Sequence, residues 1–240
     1  MIRRLLGHRG ASARTPENTA TALRAALQDG ADGLEFDVRC LGDGTPVLMH
    51  DANVDRTTDG TGPLADFDRR SIARLDAGSR KNRDFAGERV PLLEDVLAEF
   101  LGRAYLAIEM KEILPEEVLR TIGDAVRANV AADAVLASFE AKALERARDV
   151  VPALHRSLIL GRETPFPPPE LATYLGLSGM FAPHDRIDER FVVECRRLGL
   201  SLFAYTVNDP GRAELLLALG VEGIISDDPR ALRPHFPAAG

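Results

Sequence analysis

The sequence has 240 residues, of which 45% are hydrophobic and 28% are charged, which suits one large globular domain. Its net charge of −7 argues against a protein that binds nucleic acid or anionic membranes, because such proteins carry a basic surface. No apolar run approaches the about 20 residues of a membrane span, and the first run is too short for a signal peptide. Cys40 and Cys195 lie far apart in no metal-type spacing, as in a reducing compartment. We expect a cytoplasmic protein without a nucleic-acid partner or a membrane span.

Short apolar runs alternate with helical patterns along the whole chain. The eight runs are residues 2–9, 32–38, 105–111, 134–139, 154–160, 179–184, 200–208 and 222–227. The helical patterns are residues 18–30, 92–102, 115–129, 141–150, 188–199 and 211–220. Strands that alternate with helices form βαβ units and a parallel sheet. Eight units in 240 residues predict an α/β fold, a (β/α)₈ TIM barrel, whose usual length is about 250 residues. An open doubly wound sheet is the alternative, which the absence of Gly-x-Gly-x-x-Gly after the first run disfavours.

Residues 51–90 interrupt this alternation, because they are polar and rich in turn-forming residues. A loop of this length inside a compact domain is usually functional or a small subdomain. We interpret it as an insertion after the second strand that covers the top of the barrel. Residues 1–240 are therefore expected to form a single barrel domain.

Two predicted strands alternate apolar and charged residues: Glu35 and Asp37 in one, Glu109 and Lys111 in the other. Successive side chains of a strand point to opposite faces, so these charged groups are expected inside the barrel. Charged groups are costly there unless they are paired or bind a metal. A solvated face of an antiparallel sheet would explain either strand alone, but it explains the pair less well.

A histidine is expected to join this group through a hairpin. Asp43-Gly44 is a signal for a two-residue hairpin loop, and it pairs residues whose numbers add up to 87. Asp37 then lies opposite His50, and directly opposed residues project on the same face. A register shift of one residue would move His50 to the other face.

His8 and Arg9 end the first predicted strand, at the barrel face where such enzymes keep their active sites. The following Thr-Pro-Glu-Asn-Thr is typical of a helix start, with Thr15 as the N-cap, Pro16 as the first helical residue and Glu17 in the first turn. This explanation accounts for residues 15–19, but it leaves His8 and Arg9 unexplained.

The expected group of side chains suits phosphate chemistry. Three carboxylates offer only oxygen ligands, which favour Mg²⁺ or Ca²⁺ over zinc. Arg9 and Lys111 suit the charge of a phosphate. Two histidines can divide proton removal and proton donation at neutral pH. A metal, two cations and an acid/base pair together suit phosphoryl transfer from an ester.

The chain resembles the glycerophosphodiester phosphodiesterase family over nearly its whole length. The motifs that carry the resemblance are HRG with PENT, LEFDV, DGTPVLMHD, DRTTDGTG, LDAG, GERVPLLEDVL, IEMK, YTVN and GIISDDP. Members are (β/α)₈ barrels with a small insertion after the second strand. They hydrolyse glycerophosphodiesters to sn-glycerol 3-phosphate and an alcohol with a divalent cation.

The resemblance implies a role for each residue of the predicted site. It implies acid/base roles for His8 and His50, and phosphate contacts for Arg9 and Lys111. It implies that the metal ligands are Glu35, Asp37 and Glu109. Tyr205 and Glu17 are further candidate substrate contacts.

Three questions about function stay open at this stage. Many members carry tryptophan where this chain has Arg80 and Tyr205, so the resemblance leaves the head group open. The same site could act on lysophospholipids or related phosphodiesters, although the polar insertion disfavours an acyl chain. A catalytically silent barrel used for binding would be expected to lose one of the histidines or carboxylates, and all are present. We expect a small-molecule glycerophosphodiester as partner, and a monomer or homodimer.

Overall fold

The computed structural model describes residues 3–236, which form a closed barrel of eight parallel strands and one additional antiparallel strand. The strands are β1 (Arg4–His8), β2 (Gly33–Cys40), β3 (Pro46–Leu48), β4 (Tyr105–Met110), β5 (Asp133–Ser138), β6 (His155–Ile159), β7 (Gly179–Pro183), β8 (Ser201–Tyr205) and β9 (Gly223–Ser226). Strands β1, β2 and β4–β9 form the barrel, and pairing of β1 with both β2 and β9 closes it. The predicted (β/α)₈ fold is confirmed.

Helices connect most of these strands and cover the outside of the barrel. They are α1 (Ala20–Gln28), α2 (Arg69–Ile72), α3 (Leu93–Phe100), α4 (Glu116–Ala128), α5 (Ala141–Val150), α6 (Pro169–Leu175), α7 (Glu189–Arg197), α8 (Pro210–Leu219) and α9 (Pro229–Leu232). Short 3₁₀ turns are present at Leu64–Asp66, Arg83–Phe85, His184–Arg186 and Arg233–His235.

The barrel separates two apolar cores. Leu34, Phe36 and Val38 pack in the large core between the strands and the surrounding helices. A smaller core inside the barrel includes Leu6 and Phe203. The outward direction of the apolar residues of β2 leaves its acidic residues facing the interior, where they are buried. A solvated sheet face is therefore excluded as the reason for the alternation.

The register of the parallel strands aligns the polar residues near their carboxyl ends. His8 of β1 pairs with Glu35 of β2, and Asp37 of β2 pairs with Glu109 of β4. Neighbouring residues in a parallel pair lie on the same face of the sheet. Three adjacent strands thus bring these four side chains to one end of the barrel interior.

The β2–β3 hairpin has a different register from the predicted one. Paired residues add up to 86, as in Val38 with Leu48, and the amide of Met49 donates to Asp37. The loop therefore has three residues, 42–44, and its last residue, Gly44, has a φ of +85°. This is the three-residue hairpin that ends in a left-handed residue, and the same Asp-Gly pair suits both loops. The predicted pairing of Asp37 with His50 is wrong.

The start of α1 also differs from the prediction. Its N-cap is Thr19, whose hydroxyl accepts a hydrogen bond from the amide of Ala22. Thr15 instead donates to the carbonyl of Ala11. The segment between them is a turn rather than a helix, since Asn18 adopts a left-handed φ of 56°. The turn directs polar side chains towards the barrel mouth, as described below.

The segment after β3 has its own small apolar core, which includes Val54, Leu64, Ile72 and Val90. Polar contacts attach it to the β1–α1 loop, such as those from Lys81 to the carbonyls of residues 12 and 13. We call residues 51–90 the insertion.

Candidate active site at the carboxyl end of the barrel

Three carboxylates form the centre of the site. Glu35 and Asp37 come from β2 and Glu109 from β4, and one carboxylate oxygen of each lies within 4.8 Å of the others. The three residues are 4%, 0% and 8% exposed, respectively. The side chains that the strand pattern predicted to converge are therefore brought together.

This proximity perturbs the protonation of the glutamates. Burial and the neighbouring charge of Asp37 raise the pKa of Glu35 to about 8, although His8 acts in the opposite direction. Burial and Asp37 also raise the pKa of Glu109, against the effect of Lys111. The two glutamates thus resist ionisation because they are buried and because other carboxylates are close to them.

Two cations neutralise part of this charge. Lys111 Nζ lies 2.5 Å from Glu109 Oε1 and 3.6 Å from Asp37 Oδ1, and Arg9 Nε lies 3.1 Å from Asp37 Oδ2. Asp37 Oδ1 is nevertheless buried without a hydrogen-bond partner among the described residues. A buried carboxylate oxygen without a partner, inside a set of oxygen donors only, fits a hard divalent cation such as Mg²⁺ or Ca²⁺.

The turn after β1 fixes the acidic group from one side. The side-chain nitrogen of Asn18 donates to Asp37 Oδ2 at 2.8 Å, and the side-chain oxygen of Asn18 accepts from the backbone amide of Asp37 at 3.2 Å. The backbone amide of Arg9 donates to Glu35 Oε2 at 3.1 Å. The left-handed φ of 55° at Arg9 makes this arrangement possible.

His8 is held by an acidic residue that follows the last strand. Its Nδ1 lies 2.6 Å from Asp227 Oδ1, and Ser12 and Asn208 donate to the same carboxylate. Burial lowers the pKa of His8, but the hydrogen bond to Asp227 and the charge of Glu35 outweigh burial and raise it overall. Burial raises the pKa of Asp227, yet the bond to His8 lowers it to about 2.

His50 has a similar partner although it lies beyond the end of β3. Its Nδ1 is 2.6 Å from Asp51 Oδ1, and its carbonyl accepts from Arg39 Nε at 2.9 Å. Burial lowers the pKa of His50 and outweighs the charge of Asp37 and the hydrogen bond to Asp51. In both histidines the Nδ1 contact leaves Nε2 as the atom that can exchange a proton with a ligand.

The cavity at this site has a volume of about 140 Å³. His8, Arg9, His50 and Lys111 are among its polar lining residues, together with Glu35 and Glu109. The lining also includes aromatic side chains: Phe139 packs edge-on against Tyr205, with ring centroids 6.3 Å apart. A larger cavity, of about 510 Å³ between the insertion, α1 and α3, contains none of these groups.

The two candidate substrate contacts differ in position. Tyr205 lines the cavity, and its hydroxyl donates to the carbonyl of Leu160 at 2.5 Å. Glu17 is absent from the cavity wall and accepts hydrogen bonds from Arg9, at 2.8 Å, and from Arg56. These three bonds and the associated charges lower the pKa of Glu17 to about 2, although burial opposes the shift.

Three polar residues of the site were not predicted from the sequence. Asp227 and Asp51 hold the two histidines, and Asn18 holds Asp37. Asp51 follows His50 directly, and Asn18 stands in the PENT segment, so both were adjacent to recognised residues. Asp227 could have been identified as a polar residue at the end of the last strand.

The fold, and a group of polar side chains at the carboxyl ends of the strands, are typical of barrel enzymes. Residues 8–231 match the model of the glycerophosphoryl diester phosphodiesterase family, and the chain belongs to this family. A glycerophosphodiester phosphodiesterase of Caldanaerobacter subterraneus subsp. tengcongensis is 33% identical over 237 residues, which are 95% of each chain. The predicted family and enzyme class are confirmed.

Solved structures agree with this assignment. A phosphodiesterase of Oleispira antarctica, in complex with the product sn-glycerol-3-phosphate, is similar with a TM-score of 0.88 and 29% identity. The match covers 98% of this chain and 96% of that one. A glycerophosphodiester phosphodiesterase of Agrobacterium tumefaciens has a TM-score of 0.86 and 30% identity, with 97% and 100% covered. Within residues 3–236, no helix is both long and apolar enough to cross a membrane.

Proposed function

We propose that this protein hydrolyses glycerophosphodiesters to sn-glycerol 3-phosphate and an alcohol, with the help of a divalent cation. The observation that carries the proposal is the convergence of three carboxylates, two cations and two aspartate-bound histidines, all of which except Asp37 line one cavity. The family and the product named for the Oleispira antarctica structure support the choice of substrate.

Glu35, Asp37 and Glu109 are the residues that would hold Mg²⁺ or Ca²⁺. When bound, the cation supplies positive charge to a phosphate oxygen and lowers the cost of negative charge in the transition state. The protein contributes a rigid site, because the acidic side chains come from paired strands and Asn18 fixes Asp37.

Arg9 and Lys111 would bind the phosphate. Both are in contact with the carboxylates and both line the cavity. With a cation held by the three carboxylates, Arg9 and Lys111 would be available to donate hydrogen bonds to a substrate anion. Lys111 and Arg9 would thus have two roles, as partners of the carboxylates and as phosphate ligands.

His8 and His50 would transfer protons. Hydrolysis of a phosphodiester needs a base for the attacking hydroxyl group and an acid for the leaving alkoxide. Asp227 and Asp51 keep each Nδ1 engaged, so Nε2 of each ring is available for this work. The two histidines could also exchange roles between two successive steps.

Two routes are compatible with this pair. The 2-hydroxyl of glycerol could attack phosphorus and expel the head-group alcohol, leaving a cyclic phosphate that water then opens. Alternatively, water could attack directly. A substrate analogue without the 2-hydroxyl separates the routes, because only the first route loses nearly all activity with it.

The product identity tests the proposed reaction. With glycerophosphocholine as substrate, we expect release of sn-glycerol 3-phosphate and choline, measured by a coupled assay and by phosphorus NMR. Release of phosphocholine and glycerol instead would mean that the other phosphoester bond is cleaved.

Alanine variants of His8 and His50 test the acid/base roles. His155→Ala is a matched control for them, because His155 is exposed and lies at the start of β6, far from the strand ends that carry the site.

A second substrate class has a structural observation in its favour. Ile113 and Phe139, on the loops after β4 and β5, are 49% and 46% exposed. Apolar side chains at the barrel mouth could contact the acyl chain of a lysophospholipid. Comparison of kcat/KM for lysophosphatidylcholine and glycerophosphocholine tests this alternative, and a preference for the acylated substrate that Phe139→Ser removes would support it.

The expected cytoplasmic location and the monomeric or homodimeric state stay predictions.

A further inference from the structure

A second cavity, of about 150 Å³, lies between the β1–α1 loop and the insertion. It shares none of its lining residues with the active-site cavity. Its polar lining consists of Ser12, Glu17, Arg56, Thr57, Arg80 and Lys81. Three cations therefore face one carboxylate.

The positive charge of this cavity is not fully compensated. Arg56 forms ion pairs with Glu17 and Asp51. Arg80 and Lys81 instead bind only backbone carbonyls: Arg80 Nε donates to residue 58 at 2.7 Å, and Lys81 Nζ donates to residues 12 and 13 at 2.7 and 2.9 Å. Within residues 3–236, no ion pair involves either side chain. Carbonyl dipoles orient a cation without cancelling its charge, so the cavity favours an anion.

Contacts in its wall connect this cavity to the active site. Glu17 accepts a hydrogen bond from Arg9, which lines the active-site cavity. Arg56 contacts Asp51, the partner of His50, and Ser12 contacts the partner of His8. A substrate whose phosphate lies between Arg9 and the histidines therefore has this cavity as a neighbour on the side of the insertion.

We propose that this cavity is a head-group subsite, which binds a phosphate or carboxylate carried by the alcohol portion of the substrate. This inference rests on the proposed function, because a head group is present only if the active site takes a phosphodiester. It assigns Arg80 and Lys81 as specificity-determining residues, and it predicts a preference for anionic over neutral head groups. Since both side chains are solvent-exposed, each ion pair contributes modestly, and we expect a preference of about 3- to 10-fold.

The test uses two substrates that differ by one phosphate, glycerophosphoinositol and glycerophosphoinositol 4-phosphate. The measured quantity is the ratio of their kcat/KM values, because any loss common to both substrates cancels. We expect the wild type to prefer the phosphorylated substrate about 3- to 10-fold, and the preference to decrease with ionic strength. The double variant Arg80→Gln/Lys81→Gln should have a ratio near one.

Arg83→Gln is the matched control, since Arg83 is exposed on the same insertion and does not line the cavity. Arg83→Gln should keep the wild-type ratio of kcat/KM values. If this ratio decreases as much as in the double variant, only the general charge of the insertion matters, and the assignment of Arg80 and Lys81 is overturned. Equal use of both substrates by the wild type would also overturn it. Calorimetry with inorganic phosphate tests the other source of the anion. If the wild type binds phosphate, the double variant does not, and the wild type shows no substrate preference, the cavity is a free-phosphate site and the head-group assignment is overturned. Hydrolysis of glycerophosphocholine but of neither inositol substrate would overturn this inference alone. Failure to hydrolyse any of the three substrates would overturn the proposed function, and this inference with it.

Discussion

The Nδ1 atom of His8 lies 2.6 Å from Oδ1 of Asp227, although 219 residues separate them in the chain. His8 ends β1 and Asp227 directly follows β9, so closure of the barrel between these two strands creates the contact. The carboxylate fixes the orientation and the tautomer of the imidazole ring, and it stabilises the ring when it is protonated.

Asp227→Asn should therefore reduce kcat by about 10²-fold, because an amide cannot hold the imidazolium form as the carboxylate does. Steady-state kinetics with glycerophosphocholine measures the effect. Asp228→Asn is the matched control: Asp228 caps α9, asparagine is an equally good N-cap, and its activity should stay close to the wild type. If both variants lose activity equally, the His8–Asp227 contact has no special role.

His8→Ala and His50→Ala should each reduce kcat by about 10²-fold or more, because both proton transfers are needed in one turnover. Circular dichroism and the thermal midpoint should stay near those of the wild type, as neither side chain belongs to an apolar core. A His50→Ala variant with normal kcat would remove His50 from the acid/base pair.

Arg9→Ala and Lys111→Ala should each reduce kcat/KM at least about 10²-fold, because each removes a positive charge aimed at the phosphate. Lys142→Ala, on the exposed side of α5, should have wild-type kinetics. Lys111→Ala should also destabilise the metal-free protein, since Glu109 loses its ion pair, and Mg²⁺ should restore part of that stability. Near wild-type kinetics in both site variants would contradict their assignment as phosphate ligands.

The metal-free protein should lose stability as the pH rises. Glu35 has an ordinary pKa of 4.5, and burial beside Asp37 raises it to about 8 in the folded state. A carboxyl group with a raised pKa stabilises the folded state fully below pH 4.5, and that contribution is lost as the pH rises through about 8. The thermal midpoint in chelator should therefore decrease from pH 5 to pH 8. A divalent cation should stabilise the protein more at pH 8, where protons compete less for the carboxylates.

Glu35→Gln serves as the control for this pH dependence, because glutamine does not titrate. The difference between wild-type and variant midpoints should change with pH in chelator. A difference that stays constant from pH 5 to pH 8 would mean that Glu35 keeps an ordinary pKa.

The sequence predicted the acidic group because its signal is local. Within a barrel, charged residues that alternate with apolar ones face the interior when the apolar residues pack against the helices. Two such strands, 33–38 and 105–111, place the groups together when they are adjacent. Which strands are adjacent follows from the strand–helix alternation. The same argument cannot locate Asp227, since its contact with His8 depends on closure of the whole barrel.

The hairpin shows why register is harder to predict. Asp43-Gly44 is compatible with loops of two or three residues, and the observed loop shifts every pair by one residue. His50 nevertheless lines the active-site cavity, because β3 ends at Leu48 and contacts with Asp51 and Arg39 set its position. The predicted position was reached for the wrong reason.

The most direct test of the account is the release of sn-glycerol 3-phosphate from glycerophosphoethanolamine by protein stripped of metal, before and after Mg²⁺ or Ca²⁺ is restored. The account predicts negligible release from stripped protein, full recovery with one of these ions, and little recovery in Glu35→Gln or Glu109→Gln at the same ion concentration. Full release by the stripped wild type, or full recovery in both variants, would contradict a metal-dependent phosphodiesterase site formed by Glu35, Asp37 and Glu109.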